Sequence, residues 1–331
     1  MATSDAAAFR DGEVRAGSHL LSLFANPLNT RILRVHLDGP MRLSELHERI
    51  GWSAHTTLRA AVTNLRKVGA LEKGGGENRP LAPTTLTPAG EEMLLVAGAV
   101  ERWLALCPAG PIAPDSDAAK SVTKALAGGW SSTLMRALAS QPFTLTELNS
   151  LIPEINYPSL ERRVARMRVA GQIEPVEGAE RGKPYVVTDW LRRGIAPLAV
   201  AGRCERRYLP DVTAPITEVE VETAFMLTIP LASLPPATGA CMLAVPTGTD
   251  ESQERGKGLA GVMVEVERGE VVSCAARLKQ DPPTWALGTT EAWLDVMIDG
   301  RIEELRFGGV RPQLAADLVN GVHFALFGEQ P

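Results

Sequence analysis

The sequence predicts an α+β protein in three parts. Residues 1–110 and 111–210 are two copies of one helical unit carrying a β-hairpin; residues 211–331 form a mostly antiparallel sheet with helices on one face. Three observations predict this. A shift of 102 residues aligns 31–72 with 133–174 without a gap. Residues 1–210 carry 26 Lys+Arg against 21 Asp+Glu, a net of +5, whereas 211–331 carry 8 against 18, a net of −10. Strand-type alternation of apolar residues gathers in the last third, after two stretches of helical periodicity.

The length of 331 residues suits two or three domains, and 45% apolar with 22% charged residues is a globular composition. No apolar run approaches the roughly 18 residues of a membrane helix, so no membrane association is expected. The N-terminus lacks the basic and apolar regions of a secretory signal. Four widely spaced cysteines (Cys107, Cys204, Cys241, Cys274) form neither a disulfide framework nor a zinc ribbon. A reduced, cytoplasmic protein is expected.

The repeat carries identities at Arg34/Arg136, Pro40/Pro142, Leu43/Leu145, Glu45/Glu147, Leu46/Leu148, Leu58/Leu160, Val62/Val164, Arg66/Arg168, Gly69/Gly171 and Glu72/Glu174. Two copies are too few for a solenoid and indicate a duplicated domain. In the first copy, Ile32, Leu33, Val35 and Leu37 lie on a helix ended by Asp38-Gly39-Pro40. A short helix from Leu43 to Ile50 follows, with Ser44 as its cap. After a break at Gly51-Trp52-Ser53, a helix places Leu58, Ala61, Val62 and Leu65 on one stripe and stops at Gly69. Strands at Ala70-Leu71-Glu72 and Leu86-Thr87 flank a Gly-rich loop, and Thr87-Pro88 opens the next helix. That order is a helix-turn-helix with a β-hairpin wing. The second copy repeats it: Asn156 caps a helix with Leu160, Val164 and Met167 buried, Gly171 ends it, Tyr185 to Val187 is a strand, and Thr188 caps one helix through Trp190 to Tyr208.

LSELHERIG, LRAAVTNLRKVGALEK and TTLTPAGEEM resemble the HxlR-type winged-helix regulators; LTELNSLIP, LERRVARMRVAGQIEP and YVVTDWLRRG resemble the same family more faintly. The resemblance covers about residues 18–106 and 120–209 and implies DNA binding. Many members carry a sensing cysteine near the N-terminus. Here no cysteine precedes Cys107, which argues against a thiol switch of that kind.

A recognition helix presents to the major groove the side chains opposite its buried stripe. In the first copy these are Thr56, Arg59, Thr63, Asn64 and Lys67, with His55 near the N-terminus; in the second, Tyr157, Arg162 and Arg166, flanked by Arg163 and Arg168. Arg forks to guanine or phosphate, and hydroxyls hold phosphates. Arg79, Arg181 and Lys183 on the wings could reach the DNA backbone or minor groove. The competing reading makes these the solvated faces of ordinary helices.

In the last third, alternation appears in 224–229, 241–245, 261–266 and 271–276 and more weakly in 304–307, with a turn at Glu267-Arg268-Gly269-Glu270. Helices follow at Thr290 to Ile298 and Pro312 to Asn320. WALGTTEAWLD, the later Asp299-Gly300 and Gly308-Gly309, and LVNGVHFALF resemble the sterol carrier protein type two domain, over about 213–328. That resemblance implies an α/β sterol-carrier-like domain with an apolar ligand tunnel. Phe225, Met226, Met242, Met263, Trp285, Trp293, Met297, Phe307 and Phe324 could line it, or could simply be core.

No nucleophile elbow, zincin motif, P-loop or dinucleotide fingerprint occurs, and the histidines show no metal-ligand spacing. The expectation is a non-enzyme without cofactor or metal: a ligand-responsive transcriptional regulator, most simply a repressor. Its partners would be double-stranded DNA and a hydrophobic or aromatic small molecule, and it would work as a monomer with an internal pseudo-dimer or as a homodimer. The alternative is a small-molecule sequestering protein whose winged helices serve as scaffold or dimerisation modules. Leu20, Leu21, Leu23, Phe24 and the helix near Trp103 are the candidate dimer surface.

Overall fold

The computed structural model describes residues 17–51, 54–74, 82–127, 133–153, 155–176, 182–211, 213, 216–247, 258–278 and 281–328. It is an α+β structure with a mostly antiparallel sheet. The chain forms two compact units, one gathering 18–127 with 200–215 and the other 128–199 with 216–331. Their boundaries do not follow the three sequence segments: residues 111–127 and 200–210 fall with the first copy, and 128–199 with the C-terminal third.

The first unit runs α1 (His19–Phe24), α2 (Pro27–Val35), α3 (Leu43–Ile50), α4 (His55–Lys67), β1 (Leu71–Lys73), β2 (Thr84–Leu86), α5 (Pro88–Ala105) and α6 (Asp117–Ala127). Gly39, at φ 125°, ends the 3-10 turn that follows α2. The N-cap of α3 is Arg42, two residues before the expected Ser44. Ser44 lies inside the helix, and the Glu45 carboxylate accepts the Arg42 N–H at 2.8 Å, satisfying an amide that the first turn leaves open. Leu20, Leu21, Phe24 and Trp103, expected as a dimer surface, are buried in the unit itself. The buried Glu205 carboxylate accepts from the Ser18 hydroxyl at 2.7 Å and the Leu20 N–H at 2.8 Å, which holds the start of α1.

The second copy repeats the order with α7 (Thr133–Ser140), α8 (Leu145–Leu151), α9 (Tyr157–Val169), β3 (Ile173–Pro175) and β4 (Tyr185–Val187). The duplication holds to the level of single hydrogen bonds. Leu71 pairs with Leu86 as Ile173 pairs with Val187, and the bridge Met41–Thr84 recurs as Phe143–Tyr185. Thr87 donates from its hydroxyl to the carbonyls of Gly69 and Ala70 and accepts the Gly90 N–H; Thr188 does the same with Gly171, Gln172 and Leu191. Gly69 and Gly171 sit at φ 73° and 70°, left-handed geometry that glycine adopts without a Cβ clash. The single helix expected from Thr188 to Tyr208 is interrupted at Gly194, giving α10 (Asp189–Arg193) and α11 (Ile195–Tyr208).

The rest of the second unit is α12 (Glu218–Thr228), β5 (Gly239–Pro246), β6 (Leu259–Glu267), β7 (Glu270–Ala275), β8 (Thr284–Leu287), α13 (Thr290–Asp299), β9 (Arg306–Gly309) and α14 (Pro312–Phe327). Residues 224–229, expected as a strand, lie in α12 and the 3-10 turn after it. Thr217 and Glu220 close a reciprocal capping box that starts the helix. Every residue from Glu220 to Thr228 is buried, so no polar face marks the 3.6-residue period. Residues 302–304 form another 3-10 turn, which delays the last strand to Arg306, and α14 continues past Asn320 to Phe327. The sheet order is β7-β6-β5-β8-β9, with β5–β8 the parallel pair. The β6–β7 hairpin turns on Arg268 and Gly269, both at positive φ, as a tight two-residue connection requires.

Candidate nucleic-acid interface

α4 buries Leu58, Ala61, Val62 and Leu65. The opposite face exposes Thr56, Arg59, Thr63, Asn64 and Lys67, and His55 is exposed at the helix start. The His55 ring stacks on His47 of α3, with centroids 3.7 Å apart and planes 8° from parallel, so two imidazoles stand together where α4 begins. Sequence reasoning missed His47, because residues separated by a turn share no periodicity.

α9 buries Leu160, Val164 and Met167 and exposes Tyr157, Arg162, Arg166 and Arg168. Asn156 caps it, accepting the Ser159 N–H at 3.0 Å. Arg162 donates to the Pro158 carbonyl at 3.1 Å and the Ser159 hydroxyl at 3.3 Å, and Arg166 to the Arg162 carbonyl at 3.3 Å. Among the described residues neither guanidinium is held by a carboxylate, so both keep donors for an outside anion. Arg163 differs: it is half-buried, and desolvation, with the neighbouring Arg166 adding to it, lowers its pKa. Lys183 is exposed just before β4; Arg79 and Arg181 lie outside the described residues.

The nine apolar candidates of the C-terminal third do not share one cavity wall. Met242 and Met263 are cross-strand partners and form a cluster with Ala244, against which Trp285 packs. Trp285 lies over Gly308, where a Cβ would come within 2.2 Å of the ring. Alternation puts Leu243, Ala286 and Phe307 on the other face, the one on which α14 sets Leu314 against Gly239. Phe225, Met226, Trp293 and Met297 are helix residues buried in the core; Phe225 and Trp293 meet edge to face at 4.6 Å, and the Trp293 indole donates to the Ala244 carbonyl at 3.0 Å. Phe324 is 49% exposed.

A polar connection unforeseen from sequence ties the second copy to the sheet. Arg136 of α7 donates to Glu222 of α12 at 2.7 Å, and the second oxygen of that carboxylate accepts the Gly261 N–H of β6 at 3.2 Å. Burial pushes the Glu222 carboxyl above its ordinary value, while Arg136 and the Gly261 N–H pull it back. Arg192 donates to the Met226 and Leu227 carbonyls in the last turn of α12, and Arg193 to the Ala325 carbonyl in the last turn of α14. Helix ends leave such carbonyls unpaired, so two consecutive arginines of α10 complete two helices of the sheet layer. No spacing rule relates residues 34 to 132 positions apart, and this contact set was therefore not legible.

Burial pushes the thiols of Cys204, Cys241 and Cys274 up to about 12, so they stay protonated and poorly reactive near neutral pH. Among the described residues no His/Cys/Asp/Glu group could hold a metal ion, and no helix is long and apolar enough to cross a membrane. No family model matches the chain, and comparison with curated proteins returns no match.

Proposed function

We propose that the protein is a ligand-responsive transcriptional regulator, a repressor released by its ligand. It contacts double-stranded DNA through two winged helices and takes a hydrophobic or aromatic small molecule through a sterol-carrier-like C-terminal domain. The observation that carries this reading is α9: Arg162 and Arg166 are exposed on the face opposite Leu160, Val164 and Met167, with Arg168 exposed at the flank and Tyr157 at the helix start, and among the described residues the two central guanidiniums bond only neutral groups of their own helix. Arginines so placed meet phosphate and guanine alike. The different side chains of α4 favour an asymmetric operator. A ligand changes DNA affinity only if it binds one arrangement better than another. The α10 arginines on the ends of α12 and α14 supply a route by which the sheet layer could bias the second reader.

The second reading, ligand sequestration with the winged helices as scaffold, is favoured by the single Arg among the six predicted contact residues of α4. A mobility shift on the DNA upstream of the protein's own coding region, at two salt concentrations, separates the two. Direct DNA contact predicts a shift that weakens steeply with salt and is lost in Arg162→Ala/Arg166→Ala. Absence of a shift at low salt from the folded protein, on that DNA and on random duplex, rejects the regulator.

A further inference from the structure

We infer that the free edge of β9 pairs with the β9 of a second copy of this chain, joining the two sheets into one across a two-fold axis. β9 is the last strand in the order β7-β6-β5-β8-β9, so one of its sides has no strand partner. Its register with β8 decides which groups lie on that side. The Val310 N–H donates to the Pro283 carbonyl at 2.7 Å, continuing the Thr284–Gly309 register, so the trans peptide points the Gly309 carbonyl the other way. Bonds of an antiparallel ladder alternate, and Phe307 and Gly309 therefore both turn N–H and C=O outward. Among the described residues neither makes a backbone bond beyond the β8 ladder. Gly309 is exposed, and Val310 after it is 81% exposed.

The opposite edge is guarded. There the β6–β7 register breaks between Glu265 and Val266, and such a bulge spoils an edge for further pairing. The Leu234 and Pro235 carbonyls also lie against Gly269, at the start of β7. β9 carries neither a bulge nor a Lys or Pro. Beside it a groove of about 570 Å³ opens towards the start of α14, with Ile302, Phe307, Val310, Leu314 and Ala316 in its walls. Unpaired backbone groups next to an apolar groove are what an added strand occupies.

The sequence of the edge selects a second copy as that strand. One two-fold register uses both outward residues of both copies: Phe307 opposite the partner's Gly309, and Gly309 opposite the partner's Phe307, each pair exchanging both backbone bonds. Each Phe307 ring then faces a residue with no side chain. Gly308 meets its own equivalent on the axis, and Val310 faces the partner's Arg306, whose aliphatic stem covers it. No like charges stand opposite each other, and the Glu303–Glu304 end of one copy lies beside the Arg311 end of the other. No existing contact has to open: Arg311 keeps its bond to the Thr238 carbonyl, and Glu304 its place near Arg301. The pairing depends on neither DNA binding nor a ligand.

The test is sedimentation velocity of the full chain over about 1–300 µM, where a reversible monomer–dimer equilibrium with a Kd on the order of 10 µM is expected for so small a contact. Val310→Lys sets a second cation against Arg306 at both ends of the pairing and should weaken the dimer at least about tenfold. Val310→Lys/Arg306→Glu sets opposite charges there and should restore it. Both side chains are exposed, so neither variant disturbs the core. In the unsubstituted chain the Phe307 and Gly309 amides should exchange hydrogen about fivefold more slowly at the top of that range than at the bottom. A monomer at every concentration overturns the assignment and leaves the edge to a foreign strand. A dimer indifferent to Val310→Lys, a loss that the double variant does not recover, or amide exchange independent of concentration overturns it as well.

Discussion

In the first copy Arg34 reaches Glu101 of its own α5, at a surface where the two side chains are 49% and 27% exposed. In the second, the matching Arg136 reaches Glu222 of α12, and the pair is 15% and 8% exposed. The helix after the hairpin diverges in the same way. Near its start it carries Glu91 and Glu92 in the first copy, Glu92 pairing with Arg207; at the equivalent places the second copy carries Arg192 and Arg193, which donate to the ends of α12 and α14. His36 in the first copy is Leu138 in the second, and both are buried. Duplication preserved the backbone plan, from the Thr87 and Thr188 caps to the left-handed Gly69 and Gly171. What surrounds each copy then decided whether one side chain became a surface pair, a buried tie or a core residue.

The comparison breaks first at Arg136. Arg136→Ala leaves Glu222 buried without its counter-charge and is expected to cost about 3–5 kcal/mol in denaturant unfolding of the second unit. A loss under 1 kcal/mol would mean that solvent reaches Glu222 and that the tie is loose. Next come the two candidate readers. Arg162→Ala/Arg166→Ala should lower DNA affinity on the order of 100-fold and flatten the salt dependence by about two charges, because each guanidinium that meets a phosphate releases counterion. Arg59→Ala/Lys67→Ala in α4 should do so less, on the order of tenfold. Equal losses by anisotropy titration would make the readers equivalent despite their different charge.

His36 gives a smaller, pH-dependent difference. Its ring is buried, with Nδ1 2.7 Å from the Ile32 carbonyl and Nε2 2.8 Å from the Thr84 hydroxyl, and desolvation lowers its pKa below 6.5. Below pH 6.5 the unfolded chain therefore binds a proton that the folded one refuses. Stability is lost as pH falls from 6.5 towards the folded value, by at most about 1.4 kcal/mol per pH unit. His36→Leu, the residue the second copy uses, should remove that slope between pH 7 and 5. A slope retained in the variant would assign the acid sensitivity elsewhere. Smallest of all, Arg34→Ala should cost no more than about 1 kcal/mol, as an exposed pair does; a cost near that of Arg136→Ala would erase the contrast between the copies.

Much of this was legible because it is local. The 102-residue repeat located both hairpins and both helix stripes, Asn156 and Thr188 were legible as caps, and the face opposite each stripe followed from the 3.6-residue period. Where local signals compete, reading fails: Ser44 was a plausible cap, but the Glu45 carboxylate, bonded to the Arg42 N–H, set the cap of α3 two residues earlier. The segment 224–229 was misread because a helix buried on every side has the apolar run of a strand.

The sequence by itself determined the duplication, the charge contrast between 1–210 and 211–331, the elements of each copy and the side chains each candidate reader turns outward. Only the tertiary structure decided that α12 covers Arg136 while Arg34 pairs at the surface, and that consecutive arginines of α10 complete two distant helices. It also decided that the nine apolar candidates divide between two faces of a sheet, the helix core and the surface. The reason is physical. Caps, periods and turns act within a few residues, whereas burial, and with it the strength of an ion pair or the pKa of His36 and Glu222, depends on which distant segment removes the water.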